Sequence, residues 1–252
     1  MFIKKIIISL TLVMLFGCSS GPNTEETKEQ ILIKTNNYSD LIIFYKNQLK
    51  EEEDPYTREK LAQTYLDSGD PDSALFAIQY LDEDDDSRSM TSFLIEANAQ
   101  LECGMLEPAL ETVNRVYKLN ENNPEIENLL GVIYASKRDL DKSRHYFNLA
   151  RKHLYSDITI KNNLAILNII EGNYEQAVKL LLPIYMSNKN DALVQANLML
   201  AMAKADDLEF MEKVLSPQFS KQEIERRYSV LKNTESHRDD TNLFGVERNN
   251  EN

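Results

Sequence analysis

Residues 123–150, NPEIENLLGVIYASKRDLDKSRHYFNLA, are echoed 34 positions later by residues 157–184, DITIKNNLAILNIIEGNYEQAVKLLLPI. Laid over each other, Leu130-Gly131 falls on Leu164-Ala165, Tyr134 on Asn168, Arg138 on Gly172, Ser143 on Ala177 and Phe147 on Leu181. The echo continues on both sides. Gly69, Gly104, Arg138, Gly172 and Asp206 occupy one small or turn-forming place at intervals of 35, 34, 34 and 34 residues. Five residues further on stand Ala74, Ala109, Ser143, Ala177 and Met211, and four before it Tyr65, Gln100, Tyr134, Asn168 and Met202. A period of this length denotes stacked structural units, none of which buries its apolar faces alone.

Within a unit the first half presents an apolar/small pair, Leu61-Ala62, Leu130-Gly131, Leu164-Ala165 and Leu198-Met199, weakened to Glu96-Ala97 in the second unit. The second half carries apolar and small residues three and four apart: Ala74, Ile78, Leu81; Ala109, Val113, Val116; Ser143, Phe147, Ala150; Ala177, Leu181, Ile184. That spacing is one face of a helix. Helix, turn and helix in about 34 residues, with small side chains where the two helices cross, resembles the tetratricopeptide repeat (TPR). The resemblance implies an all-α, right-handed superhelical solenoid. Residues 120–124, Asn-Glu-Asn-Asn-Pro, are similar to the family's turn between units, and the family's tryptophan place holds Arg58, Phe93, Glu127, Lys161 and Gln195.

The array covers 55–218. Ahead of it, 24–54 forms a cryptic first repeat, with Tyr38, Leu41, Tyr45 and Gln48 on the second-helix pattern. Ser216-Pro217 breaks the last unit. Ser220 with Glu223 is a capping box, opening a polar C-terminal capping helix within 219–232 that seals the end of the stack. Residues 233–252 are polar and expected to be disordered.

At the other end Lys4-Lys5 and the apolar run 6–16, too short for a stable span, read as a secretion signal over 1–17. It closes on Leu15-Phe16-Gly17-Cys18, which resembles the bacterial lipobox. The resemblance implies a covalent lipid on Cys18, and Ser19 in place of an aspartate implies export to the outer membrane, facing the periplasm. Residues 18–23 then form a short tether. No other cofactor is expected. With Cys18 acylated, Cys103 is left without an intrachain partner and is expected to be a small buried residue.

Of 28 basic residues, Lys4 and Lys5 leave with the signal, so the mature chain carries 26 against 41 acidic, a net charge of −15. This balance excludes nucleic acid as a partner. The acidic runs 51–54 and 82–86 lack the glycine and alternation of a calcium loop and read as solvated turns. His145, His153 and His237, the three histidines, join no metal or nucleophile motif, and His145 and His153 read as surface residues. The chain is not expected to be an enzyme.

In the tetratricopeptide family the concave face is lined by the second, fifth, ninth and twelfth places of each first helix. Transferred here, these include Leu94, Asn98 and Leu101, then Asn128 and Val132, then Asn162, Ile166 and Ile169, and finally Leu193 and Leu200. The ninth place runs Gln63, Asn98, Val132, Ile166, Leu200, so the groove turns apolar toward the C terminus. An open apolar strip needs a cover, either a partner helix or peptide or the chain's own helix over 221–232. The Asn128, Asn162 and Asn163 amides stand where they could pair with a peptide backbone.

A lipobox followed by about five repeats, and the passage from Ala201 to Leu231 in which a shortened second helix meets Pro217 and a capped helix, resembles the TadD lipoproteins of tight-adherence (Flp) pilus assembly. That resemblance implies a pilotin-like accessory that binds the secretin or other pilus components. Alternatives are a type IV pilus pilotin, or an adaptor for outer-membrane protein insertion or cell-wall enzymes.

Overall fold

The computed structural model describes residues 24–81 and 88–234, and every regular element among them is a helix. The helices come in pairs: α1 (Thr24–Lys34) with α2 (Tyr38–Glu51), α3 (Pro55–Asp67) with α4 (Pro71–Ile78), α5 (Met90–Glu102) with α6 (Leu106–Tyr117). Then come α7 (Pro124–Ser136) with α8 (Leu140–Lys152), α9 (Asp157–Ile170) with α10 (Tyr174–Ser187), and α11 (Ala192–Lys204) with α12 (Leu208–Leu215). A single helix, α13 (Lys221–Asn233), follows.

The recurring turn residue earns its place through backbone conformation. Gly69, Gly104, Arg138, Gly172 and Asp206 have φ of 80°, 74°, 63°, 79° and 61°, and Asn36, between α1 and α2, has 50°. A left-handed residue after a helix lets the next amide bond back to the carbonyl five residues earlier. That bond is made each time: Asp70 N donates to Tyr65 O at 2.9 Å, Met105 N to Gln100 O at 2.8 Å, Asp139 N to Tyr134 O at 2.9 Å and Asn173 N to Asn168 O at 2.7 Å. The place four residues before the turn is the one whose backbone carbonyl accepts this closing bond. Helix starts are equally local. Side chains of Asp54, Asp70, Asn123, Asp139, Ser156 and Asp191 each accept from an amide of the first turn, and Pro55, Pro71 and Pro124 occupy first-turn positions where no amide hydrogen is needed.

Within each pair the helices cross at the small residues. Ala62, Ala74, Ala97, Ala109, Ala165 and Ala177 are wholly buried. At Gly131 the crossing leaves no room for a side chain: a Cβ there would lie 2.5 Å from the Phe147 ring, and Ser143 Oγ donates to Gly131 O at 2.7 Å. Successive first helices also pack on one another, α3 on α5, α5 on α7, α7 on α9 and α9 on α11, whereas successive second helices meet far less. The first helices are thus the inner, concave row.

Two details differ from the sequence reading. Helix α4 stops at Ile78, leaving Leu81 in the turn beyond it. His153 is not a free surface residue: its Nδ1 lies 2.7 Å from Oε2 of Glu127, whose side chain is wholly buried. Tyr117 also reaches that carboxylate, at 3.4 Å, and burial first, then Glu127, pushes its phenol pKa up. A carboxylate at a family tryptophan place thus joins α6, α7 and the end of α8.

Helix α2 is tied forward in a similar way. Tyr45 OH donates to Glu29 Oε1 at 2.7 Å, and Lys60 Nζ reaches the same oxygen at 2.7 Å, linking α1, α2 and α3. At the far end α13 packs on α11 and α12 and contributes Ile224 to the last core cluster.

Candidate protein-binding groove

Two of the three apolar ninth places, Val132 and Ile166, are inside the molecule. Val132 is 3% and Ile166 1% exposed, and both share a core cluster with Leu94 and Leu101. Ile169 is buried as well, and Leu200 is half-buried against the last cluster. Leu193, at the start of α11, is 39% exposed. The strip expected to lie open is therefore closed over Val132 and Ile166. The chain's own C-terminal helix does not close it, since α13 rests on α11 and α12; Val132 and Ile166 are buried where neighbouring first helices pack on one another.

The asparagines also have neighbours other than a bound peptide. Asn163 Nδ2 donates to Asn128 Oδ1 at 3.0 Å, and Asn197 Nδ2 to Asn162 Oδ1 at 2.9 Å. Both bonds are buried and each spans one repeat, so they staple α7 to α9 and α9 to α11. The acceptor oxygens of Asn128 and Asn162 are engaged by the next unit rather than presented to a peptide backbone. The Oδ1 atoms of both Asn98 and Asn163 are buried with no hydrogen-bond partner among the described residues.

Two clefts open beside the first helices. The first, of about 70 Å³, is built by α3, α5 and α7. Leu66, Leu94, Leu129 and Val132 form its apolar walls, and Asn98, Asn128 and Gln63 supply amides. Asp67, Glu102 and Glu125 give it an acidic border, and among the described residues no basic one lines it. The second, of about 520 Å³, lies between α11 and α13. Ala192, Ala196, Met199, Val230 and Leu231 line it, beside Arg226 and Arg227. The two clefts thus differ in lining, with Arg227 of the second paired to Glu223 at 2.7 Å, a difference the first-helix places alone did not disclose because half of the second cleft comes from α13.

Other candidate chemistry is sparse. Among the described residues no group of histidine, cysteine and acidic side chains could hold a metal ion, and no helix is long and apolar enough to cross a membrane. Cys103 caps α5, half-buried, with Sγ 3.7 Å from Asp72 Oδ1; burial and that carboxylate push its thiol pKa up, which opposes thiolate chemistry. Cys18, the run 82–86 and His237 lie outside the described residues.

No protein-family model matches this sequence, and no curated protein does. Solved structures do. A thermophilic TPR protein of Thermus thermophilus aligns at 19% identity and a TM-score of 0.61, over 71% of this chain and 97% of that one. In the APC/C hetero-tetramer Cut9–Hcn1 a chain aligns at 16% identity and 0.65, over 81% of this chain and 42% of its own. The C-terminal part of a TPR repeat-containing protein of Cytophaga hutchinsonii aligns at 16% identity and 0.54, over 89% of this chain and 96% of that one. Helix order, turn geometry and these likenesses agree on the fold, an all-α solenoid of tetratricopeptide repeats.

Proposed function

We propose that this chain is a protein-binding scaffold, tethered through a lipid on Cys18 to the outer membrane and facing the periplasm, that serves assembly of a tight-adherence (Flp) pilus machine. The observation that carries the binding role is the cleft shared by α3, α5 and α7, a concave recess that needs three stacked units to exist. Such a recess suits a side chain or short segment of another polypeptide. Lipidation is supported by the Leu15-Phe16-Gly17-Cys18 sequence, and the pilus assignment by its combination with the repeats and the passage Ala201 to Leu231. The action is stoichiometric binding without catalysis: the secretin or another pilus component is held at the inner face, and the lipid couples it to the membrane.

A photo-crosslinking amino acid at Thr91, on the first cleft, or at Leu193, beside the second, tests this in intact cells. Ile166 is too deeply buried to report. Capture of a tight-adherence secretin or its assembly partners, with pili lost on deletion and on Cys18→Ala, is the expected result. Capture of a type IV pilus secretin transfers the role to that system. Intact pili with capture of a barrel-insertion component or cell-wall enzyme refute the pilus assignment.

A further inference from the structure

We infer that the N-terminal end of the stack, where Ile31 of α1 and Ile43 of α2 point away from α3, lies against the lipid surface that carries the Cys18 anchor. This rests on the anchored-scaffold reading above and adds which face of the array meets the bilayer. A solenoid needs a polar outer face at each end. At the C-terminal end α13 supplies one, with Glu225, Arg226 and Ser229 exposed. The other end departs from that rule: Ile31 is 56% and Ile43 57% exposed.

Their direction is set by the ties to α3. Glu29 of α1 accepts from both Tyr45 of α2 and Lys60 of α3, so Glu29 and Tyr45 mark the side that faces the rest of the stack. A helix turns about 100° per residue, which puts Ile31, two residues after Glu29, and Ile43, two before Tyr45, on the opposite side. Lys28, one turn before Ile31, lines a recess of about 300 Å³ between α1 and α2 together with Ile43 and Phe44. Chain length says what this face meets. Cleavage ahead of Cys18 leaves six residues, 18–23, before Thr24, too few for another helical pair. At ~3.6 Å per residue they reach about 22 Å at most, so acyl chains on Cys18 hold this end of the array next to the bilayer. Two isoleucines alone would not retain a chain of net charge −15 on a lipid surface; the anchor makes their contact intramolecular. The contact is apolar and needs no anionic lipid.

The chain has no tryptophan, so a single one reports its own surroundings. Ile31→Trp and Ile43→Trp are made in the mature chain with Cys103→Ser, and Cys18, then the sole cysteine, is coupled to a maleimide lipid in phosphatidylcholine vesicles. Apolar side chains of surface-bound helices sit ~5–10 Å into the headgroup boundary, so brominated acyl chains should quench both reporters about twofold. Leu154→Trp, 91% exposed beyond α8, should not be quenched. Quenching at Ile31→Trp should fall when Ile43→Glu is added and vanish when the lipid is not coupled, with the helical spectrum unchanged in each variant. Coupled chains without quenching, or quenching equal at Leu154→Trp, would overturn the inference. A blue shift at Ile31→Trp that grows with protein concentration without vesicles would instead give the face to a second copy and overturn it too. Mass spectrometry of the N-terminal peptide from cells reads the anchor separately: a lipidated Cys18 with unquenched reporters leaves the anchored scaffold standing and removes only the end-face contact.

Discussion

Replacing Gly131 by alanine sets two known quantities against each other. Alanine in a helix interior is favoured over glycine by about 1 kcal/mol, so an unencumbered position would be stabilised. At Gly131, however, the new methyl would stand 2.5 Å from the Phe147 ring, and Phe147 is wholly buried between α7 and α8. Relieving that overlap requires helix separation or an off-rotamer ring, at about 1–3 kcal/mol, so the net effect is a loss of about 0–2 kcal/mol. The chain supplies its own remedy. One repeat on, the corresponding pair is Ala165 with Leu181, and in earlier units it is Ala97 with Val113 and Ala62 with Ile78. Glycine stands where the opposing residue is phenylalanine. Phe147→Leu alone vacates space and should cost about 1–2 kcal/mol, whereas the double variant reproduces the neighbouring unit. It should be more stable than the sum of the single losses by about 1 kcal/mol or more, measured as a double-mutant cycle in urea unfolding followed by helical circular dichroism. Additivity to within about 0.5 kcal/mol, or a Gly131→Ala variant more stable than the parent, would refute the close-crossing argument.

Three further outcomes follow from the same geometry. A Cβ at Gly172 would meet nothing within 4 Å, so Gly172→Ala isolates the cost of a left-handed residue and should destabilise by about 1 kcal/mol, while Leu154→Gly, at φ 69° and 91% exposed, should stabilise by about 0.5–1 kcal/mol in the same titration. Asn197→Ala deprives the buried Asn162 oxygen of its donor and should cost about 1–3 kcal/mol, with hydrogen exchange accelerating in α11 to α13; unchanged exchange there would count against the staple. Hydrogen bonds from Thr57 to Asp54 and from Ser73 to Asp70 hold these two carboxyl pKa values below the ordinary range. Their contribution is complete above the unfolded pKa near ~4 and is lost as pH falls through the lower folded values. Melting temperature should therefore drop in that acid window, less steeply with Asp54→Asn and Asp70→Asn together, and an identical slope in that variant would contradict the capping role.

Features set within a few residues were legible in the chain's own letters. The 34-residue period, the capped starts at Asp54 and Asn123 and the left-handed turns at Gly69, Gly104 and Gly172 depend on local backbone chemistry, which identical spacing repeats faithfully. Helix crossing at Ala62, Ala97, Gly131 and Ala165 was equally readable, because only small side chains permit it. A signal for the Glu127–His153 contact was present too, since a carboxylate in a place that holds Phe93 one unit earlier needs a partner, but that partner stands 26 residues away. The state of the groove had no such local sign. Val132 and Ile166 look exposed in a single helix and become core only when α5, α7 and α9 lie against each other. Likewise the asparagine staples link residues 35 apart, and the second cleft needs α13 beside α11. Exclusion of water is a property of several units stacked at a particular curvature, which no periodicity specifies, so the tertiary structure alone decided which parts of the inner face stay open.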